Sequence, residues 1–200
     1  METQFIDKRT LVFKIDPQKV SFFTLLLQSG ILVKTTSGTS IGELLQSFPD
    51  FSTEYIINDI QTIFLNGTAT DDLETEMEND NDTLAVSAAM PGLAGAIFRK
   101  NSLHAALRTT QEQTHTHTTG SDITVIVKFF NTIARDRGAG LLKQGVTMRA
   151  DSIIQFLDTR STLPGYLESI TLDGKLIDPK ELTAALSDLQ TVHFSIRYES

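Results

Sequence analysis

The sequence of 200 residues has no cysteine, which excludes disulfide bridges, thiolate nucleophiles and Cys-based zinc or iron–sulfur sites. Basic residues are also scarce: 17 Lys+Arg stand against 25 Asp+Glu, a formal net charge of −8 with a sequence pI near 4.9. Such a chain repels phosphate backbones, and no Lys/Arg cluster interleaved with aromatics offsets this locally, so no nucleic-acid partner is expected. Long apolar runs are missing too. The longest, Val20 to Val33 and Thr83 to Phe98, fall short of the ~20 residues that span a bilayer, and the second is broken by Pro91 and glycines. The opening Met1 to Arg9 mixes charges and builds no apolar signal segment, so a cytoplasmic protein without a membrane partner is expected.

The motifs of common enzymes are absent as well. There is no Ser-His-Asp order, no glycine-rich phosphate loop and no H-E-x-x-H segment. Gly138-Ala-Gly140 lacks the continuation into a helix that a dinucleotide would need, and reads as a hairpin loop. His115 and His117 would share one side of a strand, but no third ligand is near and His104 lies in another segment, so they read as linker histidines. Asp71 to Asp82 concentrates carboxylates without the ligand order or central glycine of a calcium loop, and reads as solvated turn surface. His193 falls in a closing strand and reads as structural. No catalytic residue, cofactor or metal is expected.

What the chain does contain is a repeat. Ile63, Leu65, Gly67 and Asp71 fall without a gap on Ile170, Leu172, Gly174 and Asp178, and Asn66 meets Asp173. Apolar residues alternate at period two before Asn-Gly or Asp-Gly, the pair that supplies the positive φ of a two-residue hairpin turn. Thr83–Ser87 then lies over Thr191–Ser195 as a closing strand. Upstream, Ile41, Leu44, Leu45 and Phe48 form one stripe of a short helix that Ser40 can cap, and Ser152 to Leu157 holds the same relative place. Thr10 to Ile15 and Ile123 to Phe129 read as the first strand of each half, with Ile31 to Lys34 the second strand of the first half. Val20 to Leu27 is a continuous apolar run that suits a buried strand or a buried helix equally.

The order strand, strand, helix, Leu-Asn-Gly or Leu-Asp-Gly hairpin, closing strand resembles the β-grasp (ubiquitin-like) sulfur carriers. That family includes the small subunit of molybdopterin synthase and the thiamine-biosynthesis sulfur carrier. Lys128 to Arg135, Gly38 to Leu45, Phe64 to Gly67, Asp71 to Leu73 and Asn79 to Leu84 carry the likeness. It implies an α+β fold of two tandem β-grasp domains, each a mixed sheet with one main helix. The first would occupy residues 1–108, including a C-terminal arm from about residue 90 to 108, the linker residues 109–121, and the second residues 122–200. Carriers of this family end in Gly-Gly, whose carboxylate is adenylated and converted to a thiocarboxylate. This chain ends Arg197-Tyr-Glu-Ser200, whereas Gly92 and Gly95 sit in a stretch similar to a carrier tail that continues into Ala96.

The same stretch has a plain physical reading. Leu93, Ile97, Leu103 and Leu107, with Phe98 beside them, would share a face of a helix beginning at Pro91, a good first-turn residue, and form an arm that packs on its own half, the other half or a second copy; the glycines cost helix stability, so an extended arm fits equally. The expectation is therefore a non-enzymatic interaction or assembly module with a protein partner, a homodimer through the arm or a sheet edge being one form. The alternative is a sulfur-carrier-like cosubstrate of an activating enzyme, released by cleavage near Gly95. A third reading is a small-molecule site in a cleft between the halves.

Overall fold

The computed structural model describes residues 9–104, 107, 108, 120–160 and 162–199. The chain runs β1 (Thr10–Ile15), α1 (Val20–Phe23), β2 (Ile31–Thr36), β3 (Thr39–Ser40), α2 (Ile41–Gln46), α3 (Thr53–Asn58), β4 (Thr62–Leu65), β5 (Thr68–Ala69), β6 (Glu76–Met77) and β7 (Thr83–Ser87). It continues through α4 (Gly92–Phe98), β8 (Asp122–Phe130), α5 (Asn131–Gln144), β9 (Val146–Arg149), α6 (Ala150–Asp158), β10 (Leu167–Leu172), β11 (Lys175–Leu176), α7 (Leu182–Ser187) and β12 (Thr191–Arg197). The fold class is α+β with mixed sheets, and among the described residues no helix is long and apolar enough to cross a membrane.

Local chemistry sets most of these elements. Asn66 (φ 52°) and Gly67 (φ 81°) turn β4 into β5, and Asp173 (φ 51°) and Gly174 (φ 77°) turn β10 into β11 in the same way. Both pairs adopt the left-handed geometry that Asn-Gly and Asp-Gly favour. Ser40 accepts from the Glu43 amide at 3.2 Å while the Glu43 carboxylate accepts from the Ser40 amide at 3.0 Å, a reciprocal cap that starts α2. The ambiguous run after Val20 resolves into helical turns, α1 followed by a 3-10 segment at Thr24–Gln28.

The chain divides into two compact units, residues 1–26 with 139–200 and residues 27–138. This departs from the division expected from the repeat, which assigned residues 1–108 and 122–200 to separate domains. In the discontinuous unit the strand order is β11-β10-β1-β12-β9, with β1 antiparallel to β10 and parallel to β12. In the contiguous unit the order is β2-β8-β7-β4-β5, with β8 antiparallel to β2 and parallel to β7, and β3 pairs with β6 in a small separate sheet. The N-terminal strand thus joins residues from the C-terminal third, and β8 joins the unit that precedes it. Sequence patterning sets how a strand alternates, whereas strand partners are chosen by non-local pairing and burial.

Most of the expected linker, residues 109–119, lies outside the described residues, and so do His115 and His117. Its last residues are held in the contiguous unit, where the Gly120 amide donates to Ser37 O at 3.2 Å and the Ser37 amide to Ser121 O at 2.8 Å. The hairpin loop expected at Gly138-Ala-Gly140 is instead part of the helix α5. Ile133, Ala134, Leu141 and Leu142 are all buried along it, a helical spacing that outweighs the two glycines.

Each unit has its own core. In the discontinuous unit Leu11, Phe13 and Ile15 of β1 are buried with Phe194 and Ile196 of the neighbouring β12 and with Phe23, all at most 1% exposed. In the contiguous unit Phe48, Phe51, Tyr55 and Phe129 form a chain of ring contacts with centroids 5.4 to 5.6 Å apart. Burying one such side chain contributes roughly 1.5–3 kcal/mol.

Candidate functional site

The candidate residues from sequence lie between Met90 and Arg108, within the contiguous unit, where residues 90–104, 107 and 108 are described. Pro91 is the N-cap of α4 rather than its first helical residue, with extended backbone (φ −76°, ψ 161°). Gly95 is buried there, and a Cβ added to it would run into the carbonyl oxygen of Met90. A side chain at this position would push the helix off the strand exit that precedes it. Phe98 packs on Phe64 of β4, ring centroids 5.2 Å apart, and Ile97 is half-buried.

The helix ends at Phe98, and the chain turns at Asn101 with φ 55°, so the single apolar face expected to run from Leu93 to Leu107 does not form. Leu93 is 73% exposed, Leu103 98% and Leu107 66%. Of the arm residues named from sequence, Ile97 and Phe98 reach the unit's surface while the three leucines face solvent. Gly92 and Gly95, named as a carrier-like tail, both lie inside α4.

Polar groups hold this segment down, among them Asp71, which is expected from the sequence to be solvated turn surface and is instead paired. Arg108 donates from Nη1 to Asp71 Oδ1 at 2.8 Å, from Nε to Ile97 O at 2.9 Å and from Nη2 to Arg99 O at 2.7 Å. With the two side chains 11% and 29% exposed, this ion pair is less screened than one on open surface. The other oxygen of Asp71 accepts from the Asn101 amide at 3.0 Å. The Arg99 side chain and the Lys100 amide both bond Gln61, at 3.0 and 2.7 Å.

Lys100 reaches the end of α3, donating from Nζ to Ile56 O at 3.1 Å and to Ile57 O at 3.3 Å. These are carbonyls left without partners at a helix C-terminus, where a cation is favoured. Burial pushes the Lys100 ammonium below its ordinary pKa, and the Asp71 carboxylate opposes that shift. The signal in the sequence was present but not local: the contacts join residues some forty positions apart.

The acidic stretch before β7 also does structural work that composition hid. Asp82, 7% exposed, accepts from the amides of Glu78 and Asn79 at 2.9 and 3.0 Å and from Asn66 Nδ2 at 2.9 Å. Asp80 accepts from the Thr124 amide at 2.7 Å and fixes the start of β8. Asp72, Glu74 and Glu76, earlier in the same stretch, are exposed.

A second polar feature sits at the aromatic core. The Arg137 guanidinium lies 3.9 Å from the centroid of the Tyr55 ring, and among the described residues the buried Tyr55 hydroxyl makes no hydrogen bond of standard geometry. Burial raises the Tyr55 pKa, with the Arg137 cation pulling it back. Among the described residues no group of three or more His, Asp or Glu is placed to hold a metal ion. Arg108 and Lys100 are engaged in fastening the segment, which leaves Leu93, Leu103 and Leu107 exposed beside Asn101 and His104.

Compared with family models, with curated proteins and with solved structures, the chain matches none.

Proposed function

We propose that this chain is a non-catalytic interaction or assembly module built from two β-grasp, ubiquitin-like units, and that the arm ending at Arg108 presents its contact surface. The β-grasp reading is supported by the two sheet orders. Each has a parallel central pair flanked by antiparallel neighbours and closed at one side by an Asn-Gly or Asp-Gly hairpin. The observation that carries the interaction reading is the exposure of Leu93, Leu103 and Leu107 on a segment pinned by Arg108, Asp71 and Lys100. Apolar side chains on a pre-ordered backbone bind at a lower entropic cost than the same residues on a mobile tail.

The test replaces the three leucines by serine. Exposed positions leave stability within about 0.5 kcal/mol of wild type, so the unfolding midpoint is expected to hold. Association is expected to fall, read by sedimentation of the pure protein and by quantitative mass spectrometry of what co-purifies from its own cells. Unchanged association in both measurements would overturn the proposal.

A further inference from the structure

Each of the two sheets takes a central strand from the far side of the segment between Arg108 and Gly120. β8, after that segment, lies between β2 and β7. Its partners are Ile31 to Thr36 on one side and Thr83 to Ser87 on the other. Ile123, Val125, Val127 and Phe129 of β8 are at most 6% exposed, so this strand carries core as well as hydrogen bonds. β1, before the segment, lies between β10 and β12, with Leu11 opposite both Leu172 and Phe194 and Phe13 opposite both Ile170 and Ile196.

The part of the chain up to Arg108 therefore holds one sheet lacking its β8, and offers β1. The part from Gly120 holds the other sheet lacking its β1, and offers β8. An empty slot in the middle of a sheet exposes two rows of unpaired backbone groups and an apolar trough, which an alternating extended strand satisfies. Main-chain bonds along both sides supply affinity, and the alternate buried side chains supply register and selectivity.

We propose that these two parts of the chain are binding partners in their own right, locked by reciprocal strand donation, so that a chain cut between them remains one folded particle. The covalent link raises the effective concentration of each strand at its slot, while the pairings themselves are those of β1 with β10 and β12 and of β8 with β2 and β7. A processing cut here would add a new C-terminus beside the arm, where Arg108 is tied to Asp71, while both sheets keep all their strands. A cut nearer Gly95 would likewise leave β8 in place, so a carboxylate made there would be displayed on the two-part particle rather than on a free small domain. This inference rests on the strand pairings and is independent of the reading of the leucine surface.

The experiment uses the full chain with a site-specific protease sequence inserted after Arg108 and cleaved after folding. The two fragments are expected to elute together in native buffer. Amides of Leu11, Phe13, Val125 and Val127 are expected to keep their protection from hydrogen exchange. The unfolding midpoint is expected to depend more steeply on protein concentration after cleavage than before it, because unfolding then separates two molecules. Fragments that elute apart would overturn the proposal. Fragments that stay together while the β1 and β8 amides lose protection would overturn it equally, since association would then owe nothing to strand donation.

Discussion

The ring of Phe13 meets the ring of Phe194 edge-on, centroids 4.9 Å apart and planes at 77°, joining strands from opposite ends of the chain. Phe23 adds a second edge contact to Phe13 at 6.2 Å. Neither Phe13 nor Phe194 is more than 1% exposed, so the contact is the clearest side-chain mark that β1 belongs with β12.

Phe13→Ala and Phe194→Ala are each expected to cost about 3–5 kcal/mol. The double variant is expected to cost less than the sum, by about 0.5–1.5 kcal/mol, as for an aromatic pair in direct contact. Urea unfolding of the four proteins of the cycle measures both quantities, and additive losses would place the rings apart.

Gly95→Ala should destabilise the arm without harming the sheets. The added methyl meets the Met90 carbonyl, a backbone atom that cannot swing aside, and overpacking of this kind costs about 1–3 kcal/mol. Faster hydrogen exchange and proteolysis confined to the stretch from Met90 to Ser102 are the expected outcome. Unaltered exchange there would show that α4 does not pack as described.

Arg108→Ala removes three hydrogen bonds and the partner of Asp71. Hydrogen bonds involving a charged group contribute about 1.5–3 kcal/mol each before relaxation, so opening of the arm should become at least about tenfold more frequent. The Phe64 and Phe98 rings would then be uncovered more often. Native-state hydrogen exchange at Asn101, whose amide bonds the same carboxylate, reports the change.

Tyr55 should give the protein an alkaline limit. Its pKa lies above the usual value of about 10, chiefly because burial disfavours the phenolate. As pH rises past the unfolded value the unfolded chain releases this proton while the native state keeps it. The native state then binds more protons, and stability falls with rising pH. The contribution is complete below about pH 10 and is lost as pH climbs through the folded value. Tyr55→Phe should flatten this slope and, because the buried hydroxyl makes no hydrogen bond of standard geometry among the described residues, change stability at neutral pH by no more than about 1 kcal/mol. Melting curves across about pH 9 to 11 test it.

Much of the local architecture could be read directly. Asn66-Gly67 and Asp173-Gly174 announce their turns because few other pairs tolerate positive φ at both positions. Ser40 and Glu43 announce the start of α2 because the cap closes within one turn. The alternation in Ile123 to Phe129 marks a strand buried on one face. These signals depend on residues within a few positions of each other, and the chain carries them whatever it packs against.

Partnership was not legible. Nothing in Thr10 to Ile15 states that its neighbours are β10 and β12, and nothing in Ile123 to Phe129 states that it sits between β2 and β7. The same holds at the arm. The sequence marked the apolar residues from Leu93 to Leu107, but Asp71, Gln61 and Lys100, which decide where that segment lies, are ordinary surface types until the fold brings them together. Turn chemistry, capping and alternation are properties of a short peptide and were determined by the sequence alone. The choice of strand neighbours, and with it the division into units, was decided by which long-range pairings bury the most apolar surface while leaving no central strand unpaired.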